Sequence, residues 1–299
     1  MEKKKVAILM ATYNGGQYLN EQIESLIQQK NVEIQILVRD DGSNDNTINI
    51  LDHYQSQNLV TWFSSGHISV AESFFELLKQ SPDADYYAFC DQDDIWDDDK
   101  LFCAVKMLEA FSETDYSLYC CGSRLVDKEG NFICVHKMDT NRTQFARLFF
   151  AKVAGNTMVF NKALRNKIIQ YHPENMLLHD TWIYKVALCL GAHVLIDSDP
   201  HLDYRQHGAN TVGMELSLKQ KINKFLEIVQ ERNIYCQLKE IKFVYADEID
   251  DKYLEFLEAF VNAKSSFKDR LKLALDKRID FNNFYFNLAF KIKMLTGSF

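Results

Sequence analysis

Several absences bound this chain before any motif is read. It has no run of about 18 consecutive apolar residues, the minimum for a spanning helix, so it is not expected to cross a bilayer. It has no C-x-x-C pair. Its seven cysteines, Cys90, Cys103, Cys120, Cys121, Cys134, Cys189 and Cys236, are odd in number and several sit inside apolar runs, which reads as reduced thiols in the cytosol. Positive charge is also scarce: a formal net charge of −8 argues against a general nucleic-acid binder, which shows a basic face. No G-x-G-x-x-G follows the first apolar run, and Gly15-Gly16 does not replace it, which disfavours a dinucleotide-binding dehydrogenase. There is no internal repeat and no low-complexity segment. The opening Met1-Glu2-Lys3-Lys4-Lys5 leads into Val6 to Met10, too short for a signal-peptide core and without a small-residue cleavage site, so it is expected to be the first strand.

What is present is enough for a folded enzyme. At 299 residues and 47% hydrophobic content, the chain can bury one large α/β domain with an appendage. From residue 5 to 90, short apolar runs alternate with segments of helical period, the pattern of βαβ units and a largely parallel sheet. Expected strands are Val6 to Ala11, Ile34 to Val38, Val60 to Phe63 and Tyr86 to Cys90, and a helix is expected from about Ser69 to Lys79. A helix is expected from Trp96 to about Phe111, then a strand pair, Ser117 to Val126 and Phe132 to Val135, around the turn Asp127-Lys128-Glu129-Gly130, so antiparallel pairing enters the sheet. Gly155 to Phe160, helices from Lys162 to Ile169 and Asp180 to Leu190, and a strand Val194 to Ile196 complete the main domain.

The composition shifts at Gly213. Residues 215 to 299 contain no proline and one glycine and read as helices throughout, so a main domain over 1–213 and a helical region over 214–299 are expected. Residues 264 to 299 carry eight Lys or Arg against three Asp, interleaved with Phe267, Leu271, Leu275, Phe284 and Phe290. Such a segment is either a basic amphipathic surface for an anionic membrane or a helical cap packed on the main domain.

The densest chemical signal is Asp91-Gln92-Asp93-Asp94-Ile95-Trp96-Asp97-Asp98-Asp99, six carboxylates in nine residues directly after an apolar strand. Two carboxylates about 5 Å apart repel by roughly 3 kcal/mol at an effective dielectric of 20. A site that gathers several therefore calls for a cation, and oxygen ligands select Mg²⁺ or Mn²⁺, ions that also bind substrate phosphates. Asp97 to Asp99 are explained by the start of a helix; Asp91, Asp93 and Asp94 precede it, at a strand's carboxyl end, where α/β sheets place ligands. The turn after strand two, Arg39 to Thr47, also lies at a carboxyl end. Asn44 or Asp45 suits a helix N-cap and Gly42 a positive φ, which leaves Asp40 and Asp41, of which at least one is explained by accepting from a base N–H or a ribose hydroxyl. The turn Ala11-Thr12-Tyr13-Asn14-Gly15-Gly16 offers an aromatic face and backbone donors beside it.

Taken in order, Ala11-Thr12-Tyr13-Asn14, Asp40-Asp41-Gly42-Ser43, Asp91-Gln92-Asp93-Asp94-Ile95-Trp96, His179-Asp180 and Tyr204-Arg205-Gln206-His207-Gly208 resemble glycosyltransferase family 2, and within it the bacterial rhamnosyltransferase branch. The resemblance covers roughly residues 4 to 213. It implies a GT-A fold, a Rossmann-like mixed sheet flanked by helices, and inverting, metal-dependent transfer of a hexose. It implies that Thr12, Tyr13 and Asp41 hold the nucleotide, that Asp91 and Asp93 hold Mg²⁺ or Mn²⁺ with His207 as a third ligand, and that Arg205 meets the donor diphosphate. Asp180 falls at the place of the catalytic base, where many relatives have Glu-Asp and this chain has His-Asp; the bland alternative is a carboxylate at an ordinary helix N-terminus. The branch implies dTDP-L-rhamnose as donor, with UDP-glucose or UDP-galactose as the alternative, and a saccharide acceptor whose lipid linkage would suit the basic tail and a peripheral place at the inner face of the membrane in cell-surface polysaccharide synthesis. No Q-x-x-R-W motif is present, so a processive polymerase is not expected. Two rivals stand beside this reading. A phosphatase of the haloacid-dehalogenase type shares Asp-x-Asp after a strand but places it at the start of its chain, and a non-catalytic nucleotide-sugar-binding subunit would tolerate loss of Asp180.

Overall fold

The computed structural model describes residues 3–138, 141–150, 153–206 and 232–297. Nine strands form one mixed sheet: β1 (Lys5–Thr12), β2 (Glu33–Asp40), β3 (Thr61–Ser64), β4 (Tyr86–Cys90), β5 (Ile95–Trp96), β6 (Ser117–Val126), β7 (Phe132–His136), β8 (Met158–Asn161) and β9 (His193–Arg205). Around it lie α1 (Leu19–Ile27), α2 (Thr47–Ser56), α3 (Val70–Gln80), α4 (Lys100–Leu108), α5 (Gln144–Phe149), α6 (Lys162–Ile168), α7 (His179–Cys189), α8 (Arg232–Val244), α9 (Asp251–Asn262), α10 (Phe267–Leu275) and α11 (Phe284–Thr296). The strand order is β3-β2-β1-β4-β8-β6-β9-β5, with β7 hydrogen-bonded to β6.

The period-two side-chain alternation of a strand explains why the central runs are apolar without interruption. Val6, Ile8 and Met10 of β1 enter one hydrophobic cluster with α1, α2 and α4, while Ala7 and Leu9 enter another with α3 and α7. β4 divides in the same way: Tyr86, Ala88 and Cys90 face the first cluster, Tyr87 and Phe89 the second. Both faces of the sheet are covered, so each central strand must be apolar on both sides.

The order of pairing fixes where a ligand can bind. β1 lies between β2 and β4, parallel to both, with Thr12 opposite Asp40 and Met10 opposite Cys90. The chain winds outward from β1 through β2 to β3, then crosses back to β4, which makes the β1/β4 boundary a topological switch point. Beyond β4 the direction reverses, since β8 is antiparallel to both β4 and β6.

Three expectations need correction. The helix expected from Trp96 begins only at Lys100, because Ile95 and Trp96 pair with Asp203 and Leu202 as β5 and the Trp96 N–H donates to Ser25 Oγ at 3.1 Å. The strand expected over Val194 to Ile196 is the first part of the thirteen-residue β9, which follows β6 through two register shifts near Gly122. Asp97 and Asp98 do more than open a helix: Asp97 accepts from both Arg124 Nη atoms at 2.5 and 2.9 Å, and Asp98 pairs with Lys30.

The helices from residue 232 onward share the second hydrophobic cluster with the sheet: Leu238, Ile241, Phe256, Leu257, Phe260, Phe286, Phe290 and Met294 join Trp182, Val186, Phe145 and Phe149 there. Phe256 stands edge-on to Phe145 with ring centroids 5.1 Å apart, and Phe290 to Phe149 at 4.8 Å. The expected boundary at residues 213 and 214 lies outside the described residues. Because α9 and the sheet share one core, truncating Phe256 should weaken the whole unit. Phe256→Ala is expected to lower unfolding free energy by about 3–5 kcal/mol, read by urea denaturation as a single earlier transition; an early transition confined to the C-terminal helices would contradict the shared core.

Candidate active site

A cavity of about 270 Å³ opens at the carboxyl ends of β1, β2 and β4, lined by Ala11, Thr12, Tyr13, Asp41, Val70, Phe74, Asp91, Gln92, Asp93 and Tyr204. That is close to the lower end of small-molecule sites, roughly 300–1,000 Å³. Five residues expected at a donor site, Thr12, Tyr13, Asp41, Asp91 and Asp93, therefore line one cavity.

Gln92 ties the two turns that form its floor. Its Oε1 accepts from Thr12 Oγ1 at 2.7 Å and from the Tyr13 N–H at 2.9 Å, and its Nε2 donates to the Tyr13 carbonyl at 3.4 Å. Gly15 is required by this clamp, since a Cβ there would lie 2.4 Å from Gln92 Oε1. Tyr13 stays exposed, its ring 4.8 Å from that of His67, so its face is open to a planar ligand.

Asp40 and Asp41 have separate tasks. Asp40 is fully buried and builds the turn: Oδ2 accepts from the Gly42 and Ser43 N–H groups at 3.0 Å each, and Oδ1 from Ser43 Oγ at 2.5 Å. Asp41 faces the cavity, where Arg39 pairs with it and Ser73 Oγ donates to it at 2.6 Å. Arg39 is itself fully buried, and also reaches Glu76 at 2.9 Å and the Gly66 carbonyl at 3.1 Å. Neither Arg39 nor Ser73 was assigned from sequence. A lone cation at the end of an apolar strand was the available signal for Arg39; Ser73, on α3, carried none.

The acidic turn concentrates negative charge in a poorly solvated place. Burial raises the Asp91 carboxyl above its ordinary range, and the charges of Asp93 and Asp180 push it further. Asp94 is raised well above its ordinary value by burial, then by Asp91 and Asp93, although Asn156 Nδ2 donates to it at 2.5 Å. Beneath them Lys100 is fully buried, its Nζ 3.2 Å from the centroid of the Trp96 ring, and burial lowers its pKa to about 8. The Tyr204 hydroxyl, pushed up by burial and by Asp91 and its acidic neighbours, keeps its proton and remains a donor at the cavity wall.

Arg205 is brought to the acidic turn but not into the cavity. Its Nε donates to the Asp93 carbonyl at 3.0 Å, Nη1 to the Lys128 carbonyl at 3.1 Å and Nη2 to Glu21 at 2.6 Å, while its backbone N–H approaches Asp94 at 3.4 Å. The guanidinium also lies 4.7 Å above the Tyr18 ring. The side chain forms a clamp beneath the acidic turn, every guanidinium nitrogen donating to protein, and it is not among the residues that line the cavity. His207 lies outside the described residues. Apart from the cavity, Asp99, Cys103 and His201 are a group of metal-capable side chains among the described residues whose ligand atoms lie within 4.8 Å of one another.

Asp180 sits in the first turn of α7, two residues after the N-cap Leu178, so it does not cap the helix. It accepts from the Thr181 N–H at 2.5 Å and from the backbone of Gly155, and burial raises its pKa to about 6. Its charge acts on Asp91, although Asp180 is not itself among the residues that line the cavity. Its neighbour His179 is a buried aromatic plate, stacked on Phe74 at 4.0 Å and edge-on to Phe89 at 4.7 Å, with no hydrogen-bond partner on either ring nitrogen. Gly155 is needed beside it, because a Cβ would come within 2.6 Å of His179 Nε2. This close approach is what lets the Gly155 backbone reach Asp180.

The arrangement has relatives. The family model for "Glycosyl transferase family 2" matches residues 7–171, which include the Thr12, Asp41 and Asp91 turns. The chain belongs to that family. It is 32% identical over 257 residues, 80% of this chain and 85% of the relative, to the dTDP-rhamnosyl transferase RfbG of Shigella flexneri. It is also similar in fold to S. aureus TarS 1–349 in complex with UDP-GlcNAc, at a TM-score of 0.57 and 18% identity over 91% of this chain and 76% of that one. A mannosyltransferase from Pyrobaculum calidifontis in complex with GDP-Man and Mn²⁺ aligns at a TM-score of 0.51 and 14% identity, covering 100% of this chain and 86% of that one. The fold is GT-A and the protein is a glycosyltransferase, which sets aside the phosphatase and the non-catalytic subunit.

His179 supplies a test of the site's electrostatics. Burial holds its ring neutral down to about 3, against an ordinary value of 6.5. Between those values the unfolded chain binds a proton that the folded chain does not, so folding stability falls as pH falls through this window. His179→Leu removes the term. Between pH 6 and 4 the native protein is expected to lose stability more steeply than the variant, by about 1.4 kcal/mol per pH unit; parallel denaturation profiles would show that the ring is protonated in the folded state.

Proposed function

We propose that this glycosyltransferase moves L-rhamnose from dTDP-L-rhamnose to a hydroxyl of a saccharide acceptor, with inversion at the transferred carbon. The observation that carries the donor assignment is the similarity to a dTDP-rhamnosyl transferase over 80% of the chain. The chemistry rests on the placement of Asp180: a half-buried carboxyl whose charge acts on Asp91, raised to about 6, is ionised at neutral pH yet basic enough to accept a proton.

In this reading the acceptor oxygen attacks the sugar carbon on the face opposite the nucleotide. Asp180 Oδ takes the hydroxyl proton as the new C–O bond forms, and the bond to dTDP breaks with its electron pair leaving on the diphosphate. The Thr181 and Gly155 N–H groups hold the carboxylate in place. Thr12 and Tyr13 line the nucleotide side of the cavity, and Asp41, fixed by Arg39 and Ser73, presents an acceptor to the base or ribose. Arg205 acts as a positioning residue, orienting Asp93 and Asp94 through the acidic turn.

The residues fit a hard divalent cation. Asp91 and Asp93 face the same cavity, and mutual repulsion adds to burial in raising Asp91. Asp91 and Asp93, with His207 as the third candidate ligand, would hold Mg²⁺ or Mn²⁺, which when bound neutralises the charge of the departing diphosphate. Residues 1–213 carry donor binding and catalysis in this account, and the helices beyond support α7 from behind. The acceptor is a lipid-linked saccharide of a cell-surface polysaccharide, which places the enzyme on the inner face of the membrane.

Asp180→Asn keeps the shape and removes the base. Turnover of dTDP-L-rhamnose with acceptor is expected to fall by about 10²-fold or more while dTDP affinity is retained. Unchanged turnover would sink the base assignment; consumption of UDP-glucose in place of dTDP-L-rhamnose by the native enzyme would replace the donor and leave the transferase standing.

A further inference from the structure

The last two helices leave a surface that the fold does not cover. On α10, Leu273 and Ala274 turn inward, while Phe267, Leu271 and Leu275, spaced four apart on one face, are exposed. On α11, Phe286, Phe290 and Met294 are buried, and the opposite face is Phe284, Leu288, Ile292 and Leu295, again exposed. Phe284 is 73% exposed and Leu275 66%, values ordinary for a lysine and costly for a large apolar side chain. A helix apolar on all sides is normally buried on all sides. α11 packs on α10 yet keeps its outer face bare.

The charge around these stripes runs against the rest of the chain. Residues 264 to 299 hold eight Lys or Arg and three Asp within a protein of net charge −8. Lys264, Lys268, Lys272, Lys277 and Lys291 are all exposed, with Lys272 also paired to Glu255 at 2.8 Å. From this combination we propose that the outer faces of α10 and α11 form the surface by which the enzyme lies on an anionic lipid bilayer, the apolar side chains entering the headgroup boundary and the lysines meeting lipid phosphates. Charge complementarity selects the bilayer over a second copy. A two-fold dimer would set the same patch against itself, bringing lysine-rich surfaces together, whereas an anionic leaflet attracts each lysine by about 1 kcal/mol. Among the described residues no helix is long and apolar enough to span a membrane, so the association is interfacial.

This inference does not depend on the donor or on Asp180, and its test needs neither. The full chain is floated with vesicles of phosphatidylglycerol and, separately, of phosphatidylcholine. Binding to phosphatidylglycerol at least tenfold tighter than to phosphatidylcholine, and weakened by salt, is expected. The double substitution Phe284→Ser and Ile292→Ser, at exposed positions, should lower that binding at least tenfold while circular dichroism and the urea denaturation midpoint stay unchanged. Lys268→Glu with Lys291→Glu should weaken it by a similar factor through charge alone. Absence of binding to phosphatidylglycerol vesicles, or binding that both variants retain in full, overturns the proposal. So does a stable dimer in sedimentation velocity that the Phe284→Ser and Ile292→Ser protein cannot form.

Discussion

The position of β1 between two parallel neighbours is the constraint on which the site depends. The register that sets Thr12 opposite Asp40 and Met10 opposite Cys90 makes three separate turns end at one place. Each turn carries a different kind of group: an aromatic face with backbone donors, a buried ion pair, and a run of carboxylates. None is a binding site alone. Their convergence follows from the crossover that returns the chain to β4, and a shift of β4 by one residue would turn each of its side chains to the other face of the sheet.

The carboxylates impose a cost that the surroundings meet in several ways. Asp94 lies deepest and takes bonds from Asn156 and from the backbone of Arg205. Lys100 brings a cation beneath the floor, held against Trp96. Arg205 locks the turn to β9 and, through Glu21, to α1. Asp91 and Asp93 remain at the cavity wall, where charge can be balanced by what binds. The Asp180 carboxyl on α7 adds to this charge, because it lies near enough to act on Asp91.

Much of this was legible in the sequence because it is local. Asp91 follows an unbroken apolar strand, and a carboxylate at such a strand end has few structural uses. Tyr13 and Asp41 follow strands of the same kind. What was not legible depends on partners distant along the chain. Arg205 has the chemistry of a phosphate ligand and stands in a motif near a glycine, yet it is buried and donates to Glu21, contributed by α1. Asp40 looked available for a ligand until the turn closed on it through Gly42 and Ser43. Trp96 stood at the start of the expected helix, and only its pairing with Leu202 turns it into a strand. The same holds for β9, where Asp197, Ser198, Asp199 and Pro200 break the apolar pattern while the pairing with β6 continues. His179 is buried too, and its aromatic contacts with Phe74 and Phe89 make it a wall beside the Asp180 carboxyl.

In the proposed function the converging strand ends form a cation-dependent site for a nucleoside diphosphate. Isothermal titration of the purified protein with dTDP, once with Mn²⁺ and once with EDTA, tests it most directly. The account predicts saturable dTDP binding at least tenfold tighter with Mn²⁺ than with EDTA, and tighter for dTDP than for UDP. Equal affinity in Mn²⁺ and in EDTA, or no binding in either, would contradict it.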